Sequence, residues 1–114
     1  MNTISLTGRL TQDPDLRYTN NNVAYSFFTL AVDRNYTNKE GEKETDFLDI
    51  VTWRGLAETC VENLNKGRLV GVEGTLQIRE NQKDGTTYKN PQIVAENVEF
   101  LDYPEENNTN GEKN

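Results

Sequence analysis

The 114-residue sequence contains no histidine, one cysteine and one tryptophan, and only 33% of its residues are hydrophobic. Lacking histidine, the chain lacks the commonest general base and the commonest metal ligand. Its two serines, Ser5 and Ser26, sit in strand-like sequence with no base beside them. Cys60 alone cannot form an intramolecular disulfide, which fits a reducing compartment. It falls on the apolar side of a helix pattern, where packing outweighs nucleophilic use. Asp13-Pro14-Asp15 and Glu40-Gly41-Glu42 offer closely spaced carboxylates, but turn chemistry explains both more simply than a metal site. Catalysis is therefore excluded, and neither a metal nor a cofactor is implied. No apolar run nears the roughly 18 residues of a membrane span, and no basic, apolar-cored signal opens the chain, so the expectation is a soluble intracellular protein without a membrane partner.

A mean hydropathy of −0.85 predicts that part of the chain is unpacked. The net charge is −7, which argues against a polyanionic partner unless cations are gathered locally. Residues 102–114 hold four acids and one base, and from Pro104 onward there is no hydrophobic residue. The expected division is a folded domain over 1–103 and a disordered polar tail over 104–114.

Within the body, apolar periodicity marks five strands. Residues 3–12 alternate, with Ile4, Leu6, Gly8 and Leu10 on one side, up to a turn at Asp13-Pro14. Residues 23–32 form a second strand with Phe28, Leu30 and Val32 inward and Tyr25 and Phe27 on the other face, where packing against another subunit is expected. A polar stretch, 33–44, reads as a long loop. Leu56, Cys60 and Leu64 then recur every four residues, with Ala57 and Val61 beside them, predicting a helix over 55–66. Lys66-Gly67 would end it with a cation in the last turn. Strand four, 68–80, is expected to turn Val70, Val72, Leu76 and Ile78 inward and to bend or bulge at Gly71 and Gly74. "KDGT" (83–86) reads as a hairpin turn, and 92–101 as strand five. Three strands, a helix and two strands predict an all-β protein with one short helix: the OB-fold, a five-stranded Greek-key barrel with the helix between strands three and four.

The third strand, "TDFLDIVTW" (45–53), is peculiar. Alternation puts Phe47, Asp49, Val51 and Trp53 on one face and Leu48, Ile50 and Thr52 on the other. A core face would not normally carry an aspartate, nor a solvent face the lone tryptophan.

"LTGRLTQDPDLRYT" (6–19), "FTLAVDR" (28–34), "TDFLDIVTWRGLAE" (45–58), "NKGRLVGVEGTLQIR" (65–79) and "IVAENVEFL" (93–101) together resemble the successive blocks of the bacterial single-stranded DNA-binding protein (SSB) family. The resemblance implies an OB-fold assembled as a homotetramer that wraps single-stranded DNA, serving replication, recombination, repair or DNA uptake and transfer in the cytoplasm, associated with the nucleoid. It implies base stacking by Tyr36, Phe47 and Trp53, and phosphate contacts by Arg17, Lys66 and Arg79. Arg34, Arg54 and Lys89, with Arg9 and Lys83, are further phosphate candidates at strand ends and loops, and the segments 33–44 and 80–90 would act as flexible clamps. The sequence departs from the family in two places. Asn81 stands where a stacking aromatic is usual, with Tyr88 across the hairpin as its substitute, and the end "TNGEKN" lacks the acidic Pro-Phe tip. The second departure puts recruitment of replication and repair enzymes in doubt and points to a short paralogue or a form carried by a phage or other mobile element.

Plainer alternatives stand beside these roles: core packing for Phe47 and Trp53, a solvated loop position for Tyr36, an ion pair with Asp13 or Asp15 for Arg17, and a helix-end cation for Lys66. At the level of the whole protein, the alternatives are an OB-fold module for RNA or for protein interaction.

Overall fold

Strand β1 (Ile4–Leu10) keeps the alternation of its sequence, with Gly8 and Leu10 buried and Ser5, Thr7 and Arg9 exposed. The structure, a computed structural model, describes residues 1–102; the expected tail, 104–114, lies outside the described residues. After β1 come β2 (Asp15–Tyr18), β3 (Ala24–Thr37), β4 (Lys43–Trp53), helix α1 (Arg54–Asn63), β5 (Leu69–Lys83) and β6 (Thr86–Phe100). The sheet runs β1-β5-β6-β4-β3-β2, and a further pairing of β1 with β3, at Arg9↔Ala31 and Leu10↔Leu30, closes five of the strands into a barrel. With α1 between the third and fourth barrel strands, this is the OB-fold. Short β2 hangs on the outer edge of β3 as a sixth strand, from Asp15↔Phe27 to Tyr18↔Ala24. Its four residues follow a proline and are too few to show a period, which is why the sequence reads there as a turn.

Inward side chains of five strands and the helix make one core: Leu10, Phe28, Leu30, Ile50, Cys60, Leu64, Val70, Val72, Ile93 and Ala95. Burial of the Cys60 thiol among them pushes its pKa up to about 11, so it stays protonated and unreactive. Ser26 and Thr52, fully buried on adjacent strands, satisfy each other by a hydrogen bond between their hydroxyls.

The helix is shorter than its apolar stripe predicts. Leu64 leaves helical geometry for extended backbone (φ −114°, ψ 148°) and is buried in the core. Gly67 then takes φ +92° in the turn that returns the chain to β5, and its N–H donates to the Leu10 carbonyl. Lys66 is thus three residues beyond the helix and is not a cation of its last turn.

Two expected loops are largely strand. β3 and β4 pair as far as Thr37↔Lys43, leaving a turn in which Asn38 Oδ1 accepts the N–H groups of Glu40 and Glu42. β5 and β6 pair to Lys83↔Thr86 around Asp84-Gly85, both at positive φ, which is the hairpin the sequence predicts. Because this hairpin outruns the barrel, Leu76 and Ile78 are not inward as expected; they are 41% and 53% exposed.

At the base of the barrel, Asp102 gathers three donors: Arg68 Nε at 3.0 Å, Arg9 Nη1 at 3.1 Å and the Leu69 N–H at 3.2 Å. Partial desolvation pushes its carboxyl up, but these hydrogen bonds outweigh it and hold the group below the usual carboxylate range. The described chain is thereby tied to the start of β5.

Two glycines permit close strand contact. A Cβ on Gly8 would meet the Ala31 carbonyl at the closing seam, and one on Gly74 the Val94 carbonyl, where the β5–β6 register slips between Glu73 and Gly74. In each case the obstacle is backbone. Gly8→Ala and Gly74→Ala should each cost about 2–3 kcal/mol in urea unfolding. Gly55→Ala, in the helix with nothing within 4 Å, should stay within about 1 kcal/mol of the original. Equal midpoints for all three would show that the barrel closes some other way.

Candidate nucleic-acid interface

The antiparallel register of β3 and β4 sets Tyr25 opposite Trp53, Phe27 opposite Val51, Thr29 opposite Asp49 and Ala31 opposite Phe47. Alternation turns all eight outward, since Phe28, Leu30 and Ile50 between them fill the core. Phe47 is 65% exposed and Trp53 40%. Both lie on an outward platform, not in the core. The rings of Tyr25 and Trp53 lean on each other, 5.2 Å between centroids at an interplanar angle of 34°. Each ring's orientation is thereby steadied while one face of the pair remains open.

The platform continues on both sides. On β2, Arg17 pairs with Tyr25 in register and carries its guanidinium over the Phe27 ring, 5.4 Å from the centroid. Its Nη2 also meets Asp15 Oδ2 at 2.9 Å, so the ion pair considered for it is present. On the other side, the β5–β6 hairpin brings Gln77 opposite Gln92, Arg79 opposite Asn90 and Asn81 opposite Tyr88. Together these strands enclose a cleft of about 680 Å³ lined by Tyr25, Phe27, Asp49, Trp53, Arg79 and neighbouring glutamines.

The structure gathers some of the sequence-predicted site residues and scatters others. Trp53, Phe47, Arg17 and Arg79 share the platform, and Tyr88 lies on the same side of the hairpin as Arg79, across from Asn81. Lys89 falls on the reverse side, opposite Glu80, because it is adjacent to Tyr88 in a strand. Arg54 follows Trp53 with its backbone at φ +60° and its side chain exposed. Lys66 donates its backbone N–H to Asp13 Oδ1 while its exposed side chain makes no ion pair among the described residues.

Arg34 and Tyr36 lie elsewhere, in a second cleft formed with Ser5, Leu6 and Thr7 of β1. Arg34 makes a two-pronged contact with Asp46, Nε and Nη2 each at 3.0 Å, and its Nη1 meets Glu44 at 3.1 Å. The Arg34 hydrogen bonds hold the Asp46 carboxyl below its ordinary range, and the same contacts raise Arg34 further above its own. Arg34 is thus already matched by two carboxylates and turned away from Phe47. Tyr36, also in this cleft, is widely exposed but is separated from the platform by the thickness of the ribbon.

Tyr25 and Phe27, for which packing is the expectation, do pack, Tyr25 against Trp53 and Phe27 under the Arg17 guanidinium, and both also line the cleft. The signal that would have found them is the strand pairing Tyr25↔Trp53, which composition and period do not carry. Among the described residues no three His, Cys, Asp or Glu side chains come together as a metal site. No helix among them is long and apolar enough to cross a membrane.

Residues 1–101 match the model of the single-strand binding protein family. Over 103 residues the chain is 50% identical to the single-stranded DNA-binding protein of Caldanaerobacter subterraneus subsp. tengcongensis, covering 90% of this chain and 69% of that one. It is 48% identical over 112 residues to single-stranded DNA-binding protein 2 of Listeria monocytogenes, covering 97% and 69%. With single-stranded DNA-binding protein A of Bacillus subtilis it shares 49% over 104 residues, covering 90% and 60%. The chain thus spans about 60–69% of the length of these relatives. Among solved structures, a Plasmodium falciparum SSB in complex with single-stranded DNA superposes with a TM-score of 0.80 at 25% identity, covering 90% of this chain and 96% of that one.

The two phenylalanines Phe28 and Phe47 test the division between core and platform. Phe28→Ala should cost about 3–5 kcal/mol of stability, as expected for a core phenylalanine. Phe47→Ala should change the urea midpoint by well under half as much. A comparable loss in both would mean that Phe47 is packed.

Proposed function

The chain belongs to the single-strand binding protein family, and from that premise we propose that it binds and protects single-stranded DNA without regard to sequence. One observation carries this: four aromatic side chains, Tyr25, Phe27, Phe47 and Trp53, stand on one outward face of β3 and β4, with Arg17 and Arg79 at its borders. Base stacking on such a face is worth about 1–3 kcal/mol per base and is tolerant of sequence, because every base has a π-face. The borders suit the phosphates, whose charge the arginines would meet. With a net charge of −7, little of the affinity can come from a general field, so stacking supplies an unusually large share. The activity is binding, with no bond made or broken. Service to replication, recombination or repair places the protein in the bacterial cytoplasm with the nucleoid.

The working unit is a homotetramer. The apolar surface that favours assembly is not Tyr25 and Phe27, which the cleft uses, but Leu76 and Ile78 on the reverse of the hairpin. Light scattering at micromolar concentration should give about four times the 13.0 kDa chain mass; a stable monomer rejects the tetramer.

Binding of poly(dT) should quench Trp53 emission, with poly(U) and duplex DNA competing poorly. Trp53→Ala should weaken binding by about 1–3 kcal/mol while leaving the salt dependence nearly intact. Arg79→Ala and Lys66→Ala should each lower the slope of log K against log salt by about 0.7, one phosphate contact on a single strand. Lys89→Ala, on the reverse face, should alter neither. An emission untouched by poly(dT) would show that the platform is not where DNA lies.

A further inference from the structure

Asp49 stands in the middle of the platform, where a polyanion would pass. It lies opposite Thr29 on β3, whose hydroxyl donates to its Oδ1 at 3.3 Å, and it lines the cleft with Gln12, Gln77 and Gln92. Unlike Asp15, Asp46 and Asp102, it makes no ion pair among the described residues. Two stacking positions adjoin it. Phe47 precedes it by two residues on the same face, roughly 7 Å along the strand. Phe27 is its diagonal neighbour across the pair, at about 7–8 Å. A base stacked on either ring brings its edge over Asp49.

Resting on the proposed binding of single-stranded DNA, we infer that Asp49 selects what the central subsite holds: it turns phosphate away and accepts a hydrogen bond from the exocyclic amine of a base. An ionised carboxylate only accepts, so it can pair with N4 of cytosine, N6 of adenine or N2 of guanine. Thymine has no exocyclic amine; its one base-edge donor, N3–H, sits between two carbonyl oxygens that the carboxylate repels, so it is the poorer partner. The Thr29 hydroxyl occupies one oxygen and leaves the other free to face the base. The three glutamines around the cleft can both donate and accept, so they favour no base; the discrimination is Asp49's. Binding is then general along the strand but biased against thymine at one subsite.

Titration of Trp53 emission with oligo(dC) and oligo(dT) of equal length tests this, at mildly alkaline pH where cytosine is neutral. The two pyrimidines match in ring size, and any intrinsic difference in stacking cancels when variants are compared. Asp49→Asn removes the charge and can donate to the thymine carbonyls as well as accept from cytosine. The ratio Kd(dT)/Kd(dC) should fall by about fivefold or more in this variant, mostly through tighter dT binding. Asp49→Ala, which keeps neither charge nor acceptor, should lower the ratio in the same direction. Should both variants tighten dC and dT equally, Asp49 is a repulsive charge alone and the pairing is overturned. Binding of neither oligomer by the unaltered protein would instead remove single-stranded DNA as the ligand, and the pairing with it.

Discussion

The antiparallel register between β3 and β4 is the constraint on which the remaining features rest. Side chains alternate with a period of two, so a slip of one residue would exchange the faces of one strand relative to the other. Either Phe28 and Leu30 would leave the core for Tyr25 and Phe27, or Ile50 would leave it for Phe47. The buried hydrogen bond between Ser26 and Thr52 opposes the slip, because the hydroxyl that stayed inside the barrel would lose its partner. The same register that completes the core therefore builds the platform, and one cannot be altered while the other is kept.

Charge is distributed on a different logic. Of the arginines, Arg9 and Arg68 are held by Asp102, Arg34 by Asp46 and Glu44, and Arg17 by Asp15. Exposed pairs of this kind contribute little to stability individually. Their consequence is geometric: Arg9 of β1 and Arg68, just before β5, both join the end of the described chain through Asp102, while Arg34 braces the β3–β4 ribbon. Arg54 and Arg79 make no ion pair among the described residues, and Arg79 lines the cleft. Of the six arginines, four are thus paired with carboxylates, and Arg79 is kept uncompensated at the cleft.

Exposure of aromatic surface on the platform is the structural counterpart of this thrift with cations. Tyr25 and Trp53 cover part of each other, and the Arg17 guanidinium shields one side of Phe27. These contacts lower the cost of leaving Tyr25, Trp53 and Phe27 outside the core and steady those three rings. The hairpin of β5 and β6 extends the surface outward with Arg79 and Tyr88 on one side and Leu76 and Ile78 on the other. One ribbon thereby presents a polar and aromatic face on one side and an apolar face on the other.

Much of this was legible in the order of residues. The alternation of 3–12, the four-residue spacing of Leu56 and Cys60, the turn at Asp84-Gly85 and the mixed face of Phe47, Asp49 and Trp53 are local patterns, and local backbone geometry obeys them; at Leu64 the helical pattern outruns the helix. Lys89 and Tyr88 show where such patterns stop. They are neighbours in the chain, yet the pairing of β6 with β5 turns Tyr88 to the Arg79 side of the hairpin and Lys89 to its back. Tyr25 and Phe27 needed the partner strand to show which surface they join, and Arg34 needed Asp46 and Glu44, twelve and ten residues away, to show that its charge is already met. Residue periodicity determined which side chains share a strand face, because alternation is a property of a single extended chain. Only the tertiary structure decided which faces meet, since register, closure and the bulge at Gly74 arise between strands distant in sequence.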